Sequence, residues 1–146
     1  MVSIKKTFFL RLNHYWLVTI IIFCFGFSSF AQSKKINWMT FAEAIEAQKK
    51  VPKKILMDVY TTWCGPCKLM DKNTFQNPDV VNYVNKYYYA VKFNGEGNET
   101  VYFFNRTFNN PNFDPNRNGR NATRQLTQFL GVTGYPTVVF FSENAD

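Results

Sequence analysis

The chain has 146 residues, enough for one domain and little more. Hydrophobic residues make up 46% and charged ones 18%, a globular balance rather than a disordered one. The formal charge of +7 includes Lys5, Lys6 and Arg11 of an acid-free N-terminus. The other 14 bases face 10 acids with no dense Lys/Arg stripe, which speaks against nucleic acid as a partner.

Residues 1–31 have the layout of an export signal. Lys5, Lys6 and Arg11 form a positive lead, Leu17 to Phe27 an apolar run, and Ser29 and Ala31 the small residues before a cleavage point at Gln32. The run is short for a spanning helix, which needs about 20 apolar residues. A cleaved signal peptide is therefore expected and the exported, periplasmic side is the expected location. Anchoring by an uncleaved segment is the alternative. Phe23 before Cys24 is too bulky for a lipid-attachment site, so Cys24 is read as one more apolar residue of the signal.

Export would leave Cys64 and Cys67 as the mature chain's cysteines and remove His14, its one histidine. Cys-His and Ser-His-Asp nucleophiles are then excluded. A Cys/His zinc site lacks its third and fourth ligands, except as half of a site shared across a dimer. No metal and no cofactor are expected.

The mature part, residues 32–146, reads as one α/β domain. Ile36-Asn37-Trp38 suits a short first strand. Thr40 and Glu43 form a capping box for a helix over Phe41–Lys50, with Lys49 and Lys50 at its negative end and Val51-Pro52 ending it. Ile55 to Tyr60 is apolar apart from Asp58, as in a central parallel strand buried on both faces. The Cys motif follows and opens a helix to about Asn73, with Pro66 in the first turn, where a missing N–H costs little. Asn77-Pro78-Asp79 starts another helix, running to about Lys86 on an apolar face of Val80, Val81 and Val84. Tyr88 to Phe93 has strand composition.

Asn94 to Asn121 holds nine asparagines and several Gly and Pro. Glu99 to Arg106 is read as a short helix within it, and Asn109 to Asn121 as a loop. The segment is either a shaper of partner choice or a disordered spacer. Its three Asn-x-Thr sequons, at Asn98, Asn105 and Asn121, are what chance gives in an Asn-rich stretch. Helical patterning resumes over Ala122–Leu130. After the turn Gly131 to Pro136, Thr137 to Phe141 reads as a strand.

The motif Trp63-Cys64-Gly65-Pro66-Cys67-Lys68 carries the chemistry. A Cys-x-x-Cys pair delivered by a strand to a helix start is a redox arrangement. The helix N-terminus offers unpaired N–H groups and a positive dipole end, which stabilise a Cys64 thiolate. Cys64 would attack a substrate disulfide. Cys67, one turn on, would then attack Cys64 and release the reduced substrate. Asp58 inside an apolar strand is costly unless neutral or paired, which marks it as the acceptor of the Cys67 proton. An acid turned out to solvent is the plain alternative.

On these residues the stretch Ile55 to Lys68, ILMDVYTTWCGPCK, resembles the active site of thioredoxins. The resemblance implies a thioredoxin-like fold, a central mixed sheet flanked by helices. It implies a buried acid at Asp58, a Trp before the nucleophile at Trp63, and a cis-proline substrate loop at Gly134-Tyr135-Pro136-Thr137. It also implies a Lys92 partner for Asp58, with a plain surface lysine as the alternative. Trp63 and Tyr135 would flank the sulfurs as apolar substrate contacts, though Trp63 serves equally well as a packing residue. The Gly65-Pro66 pair is the thioredoxin form and implies a reductant. The signal and the long middle segment are closer to secreted bacterial members than to cytosolic thioredoxin.

The family's further strand and closing helix have no counterpart in the five residues after Phe141. Thr137 to Phe141 is therefore expected to be an exposed apolar edge and the chain poorly soluble or weakly stable. The expected function is protein-disulfide reduction or exchange on exported proteins, re-reduced through a membrane electron-transfer partner. A disulfide isomerase or oxidase, or a non-catalytic binding module on the same fold, are the alternatives.

Overall fold

A computed structural model describes residues 35–144. The expected signal peptide, with Cys24 and His14, lies outside the described residues, as does the boundary at Gln32. The elements in chain order are β1 (Trp38–Met39), α1 (Phe41–Lys50), β2 (Lys54–Tyr60), α2 (Gly65–Asn73), α3 (Pro78–Tyr87), β3 (Tyr88–Asn94), β4 (Val101–Phe103), β5 (Arg106–Phe108), α4 (Gln125–Phe129) and β6 (Thr137–Phe141).

The main sheet has the order β1-β3-β2-β6. β1, β3 and β2 run parallel, and β6 is antiparallel to β2. β2 is the central strand and is buried from Ile55 to Val59. Its side chains alternate between two cores, as a pleated strand requires. Ile55, Met57 and Val59 join Phe41, Val91, Phe93 and Leu126 on one face. Leu56 joins Ile36, Phe75, Val81, Val84 and Ala90 on the other. The same alternation puts Asp58 and Lys92, opposite each other in register, on the second face, under α2 and α3.

Local signals set the helix starts. The Thr40 hydroxyl accepts the Glu43 N–H while the Glu43 carboxylate accepts the Thr40 N–H, the reciprocal pair of a capping box. The Asn77 side chain accepts from the backbone of Asp79 and Val80, and Pro78 takes the first helical position.

The segment between β3 and α4 departs from expectation. Residues 99–106 form no helix. Val101–Phe103 and Arg106–Phe108 are paired antiparallel strands, joined by Phe104 and Asn105, both at positive φ (50° and 54°). Two successive left-handed residues make the turn whose twist suits a two-residue hairpin. The alternation of buried Val101, exposed Tyr102 and buried Phe103 gives the hairpin one apolar side, which a helix through these residues would break up. That side completes the first core: Phe103 packs 5.0 Å from Phe41 and 5.7 Å from Phe141, ring centre to ring centre. The segment is thus a built part of the domain, not a spacer. Its asparagines supply hydrogen bonds that irregular backbone lacks. Asn110 donates to the Gly97 and Ala122 carbonyls, and Asn121 exchanges bonds with the backbone of Asp114.

α4 is also shorter than the span expected over 122–130. Arg124 caps it without a side-chain cap bond. The Arg124 side chain is instead buried over the Phe93 ring, at 4.2 Å, and donates to the Asn94 and Glu99 carbonyls and the Glu99 carboxylate.

Candidate active site at the end of the central strand

β2 ends at Tyr60, and the next turn delivers the cysteines. The Cys64 N–H donates to the Thr61 carbonyl (3.2 Å), which closes the turn. Cys64 is the N-cap of α2, and its Sγ accepts the Cys67 N–H at 3.1 Å. A sulfur in this position takes the place of a capping oxygen and faces the positive end of the helix dipole. Cys64 and Cys67 are joined by a disulfide, with their Cα atoms 5.3 Å apart, and both are about 2% exposed. Gly65 and Pro66 between them are exposed on the first turn, with Pro66 where no backbone donor is needed.

Asp58 is fully buried. Its Oδ2 accepts from Lys92 Nζ at 2.5 Å, while Oδ1 and the Thr61 hydroxyl have no hydrogen-bond partner among the described residues. Burial pushes the Asp58 carboxyl above the usual range; the Lys92 hydrogen bond and charge oppose this, and the Asp71 charge adds to it. Lys92 Nζ also donates to Asp71 Oδ1 on α2. Burial pulls Lys92 down, but its bonds to Asp58 and Asp71 outweigh this and hold the ammonium above its ordinary value. The rings of Trp38, Tyr60 and Phe75 surround the same ammonium at 4.9–5.5 Å. Asp71, four residues after Cys67 on α2, has no local pattern to mark it and was not foreseen.

The Tyr135–Pro136 peptide is cis. Thr137 pairs with Val59, so the proline loop lies at the end of the sheet where β2 hands over to the cysteines. The loop touches the motif directly: the Tyr135 and Trp63 rings meet edge to face, 6.0 Å apart. Behind them, a Cβ on Gly95 would fall 2.6 Å from the Tyr135 ring, so any larger residue here would push that ring aside. Burial raises the Tyr135 phenol, and the nearby Glu96 charge adds to this against a hydrogen bond with Thr123.

Trp63 is held by the long middle segment. Buried Glu96 accepts from the indole Nε1 at 2.7 Å and from the Asn121 N–H at 2.8 Å through the same oxygen. The Arg120 guanidinium lies over the indole ring at 4.5 Å. Sequence reading missed both partners. They are 33 and 57 residues away along the chain, and a lone Glu in an Asn/Gly-rich stretch carries no periodic signal.

A strand that ends in a helix-capping Cys-x-x-Cys disulfide, beside a cis-proline loop and above a buried Asp–Lys pair, defines a thioredoxin-type redox site. The model of the thioredoxin-like domain matches residues 41–146, and the chain belongs to that family. Among curated proteins it is 30% identical over 100 residues to the thiol:disulfide interchange protein DsbD of Pectobacterium atrosepticum, covering 68% of this chain. It is 27% identical over 105 residues to DsbD of Photorhabdus laumondii, covering 72% of this chain. The aligned part is 14% of the length of each of these relatives. Among solved structures, a DsbH oxidoreductase superposes with a TM-score of 0.52 at 19% identity, covering 77% of this chain and 69% of that one. A candidate disulphide-isomerase from Bacteroides thetaiotaomicron superposes with a TM-score of 0.51 at 25% identity, covering 76% and 73%. Among the described residues no helix is long and apolar enough to cross a membrane.

Proposed function

We propose that this domain is an exported thiol-disulfide oxidoreductase that reduces or exchanges disulfides in other exported proteins. The observation that carries the reading is the Cys64–Cys67 disulfide at the start of α2, with Cys64 Sγ on the Cys67 N–H. In the reduced form the same N–H and the helix dipole favour a Cys64 thiolate. That thiolate attacks a substrate disulfide, forms a mixed disulfide and displaces one substrate thiolate, which takes a proton from water. Cys67 then gives its proton to Asp58 and attacks Cys64 Sγ. The intramolecular disulfide forms and the second substrate thiol leaves.

Trp63, Tyr135 and Pro136 serve as the platform for the substrate chain, with Gly65, Pro66 and Lys92 supporting the motif and the base. The Gly-Pro pair favours the reducing direction. The N-terminal pattern supports a periplasmic location, with the signal either cleaved or kept as an anchor. The reductant is then a membrane electron-transfer partner, and the relatives' name, thiol:disulfide interchange protein, supports the exchange chemistry itself. Disulfide isomerisation is the second reading, supported by the superposition on a candidate disulphide-isomerase.

The decisive experiment is trapping. A Cys67→Ser protein is expected to accumulate a mixed disulfide through Cys64, readable by mass spectrometry with the partner attached. Reduction of insulin disulfides is expected to vanish in Cys64→Ser. Retained reduction by a folded Cys64→Ser protein would end the oxidoreductase reading. A redox titration against glutathione decides direction: a potential near that of strong oxidants would replace reduction by oxidation.

A further inference from the structure

The ammonium of Lys92 is shared. It bridges Asp58, fully buried on β2, and Asp71, on the helix that carries the cysteines and with its side chain 40% exposed. Asp71 and Lys92 line an open cavity of about 670 Å³ with Lys35, Ile36, Trp38, Phe75 and Gln76, while Asp58 is buried outside its lining. Asp58 Oδ1 has no partner among the described residues, so Lys92 is the one hydrogen-bond donor found for this carboxyl.

We propose that Asp71 is a positioning residue for the redox site: by drawing Lys92 toward the cavity it keeps the ammonium from fully compensating the Asp58 charge, and so sets how readily Asp58 takes the Cys67 proton. Asp58 and Asp71 compete for one ammonium. A single ammonium has three hydrogens, and two carboxylates divide its charge. A Lys92 committed to Asp58 alone would hold that acid as a carboxylate of low basicity, a poor base for a thiol. With Asp71 taking part of the ammonium, and adding its own negative charge, Asp58 keeps its affinity for a proton. The other groups facing this pair do not change the sign. β6 offers apolar Val138 opposite Asp58, β1 offers Trp38, and β2 offers Tyr60. Lys35 lines the cavity and is the same in each protein compared below.

The proposal rests on the reading of Asp58 as the base, and the test separates the two. The Asp58 carboxyl carbon is titrated by NMR in oxidised wild type and in Asp71→Asn, where the disulfide keeps both thiols from titrating. Insulin reduction is followed against pH in the same proteins and in Asp58→Asn. In Asp71→Asn the Asp58 midpoint is expected to fall by at least about half a pH unit, roughly a threefold change in its protonation equilibrium. The acid limb of the rate profile is expected to move with it, while the melting temperature stays close to that of wild type. Coincident Asp58 midpoints in the two proteins would overturn the proposal, even with Asp58→Asn altering the profile. An unchanged acid limb in Asp58→Asn would instead overturn the base reading, and the NMR comparison would still decide whether Asp71 controls Asp58. Asp71 is half exposed and Asn is isosteric, so the variant folds; Asp71→Ala is expected to move the midpoint the same way.

Discussion

Asp58 is costly to the fold. Its carboxyl is raised mainly by burial, with Lys92 opposing. A raised folded-state value means that the acid's contribution to stability is fully present below the ordinary carboxylate value. It is lost as pH rises through the raised one. Asp58→Asn removes that loss. The variant is therefore expected to match wild type in strong acid and to be more stable than wild type at neutral pH. Lys92 stays paired with Asp71 in this variant, so no buried charge is stranded. Urea melts across pH check this; a variant less stable than wild type at pH 7 would show that the Lys92 bond outweighs the burial. Asp58 was visible in the sequence because an acid in an apolar strand is conspicuous. Asp71, Glu96 and Arg120 were not, because a surface-type charge in a helix or loop looks the same whether or not tertiary structure gives it a partner.

At the scale of elements, the helices whose ends carry their own chemistry were readable. Thr40 with Glu43, Asn77 with Pro78, and the Cys-Gly-Pro-Cys turn each fix a start within one turn of chain. The hairpin of β4 and β5 was not readable, since Glu99–Arg106 has charged ends and an apolar middle that suit a short helix. The alternation at Val101 and Phe103, followed by Asn105 at the turn, was the available signal. The hairpin matters energetically because Phe103 is about 4% exposed and touches both Phe41 and Phe141. Phe103→Ala is expected to lower stability by about 3–5 kcal/mol, as a large cavity between α1, β6 and the hairpin would. Chemical denaturation measures this. A loss below about 1 kcal/mol would mean that the hairpin is an appendage rather than part of the core.

For the domain as a whole, the central, parallel place of β2 was legible in its composition, an apolar run buried on both faces. The mixed sheet was implied by the resemblance alone, and the antiparallel pairing of β6 left no mark in its residues. Among the described residues β6 has β2 on one side and no strand on the other, with Phe140 60% exposed beside Tyr88. Such an edge offers free backbone groups and an apolar side chain to a second copy. Phe140→Lys is expected to reduce self-association in sedimentation experiments without lowering the melting temperature. Unchanged association would place the sticky surface elsewhere, for instance at exposed Tyr102, Phe104 and Phe129.

On the role proposed for Trp63 as a substrate platform, the grip of Glu96 on its indole ties substrate access to a local equilibrium. Glu96 and Asn121 lie 25 residues apart and meet at one carboxylate oxygen. Gly95 beside them is bonded to Tyr60 at the end of β2 and to Arg124 at the start of α4. Freeing Trp63 from this junction breaks its bond to Glu96 and its ring contacts with Arg120 and Tyr135. It is thus a local opening with its own free energy, below that of global melting. A partner that needs a displaced Trp63 meets that free energy as a fixed toll on binding, while one that accepts the indole where it stands meets none.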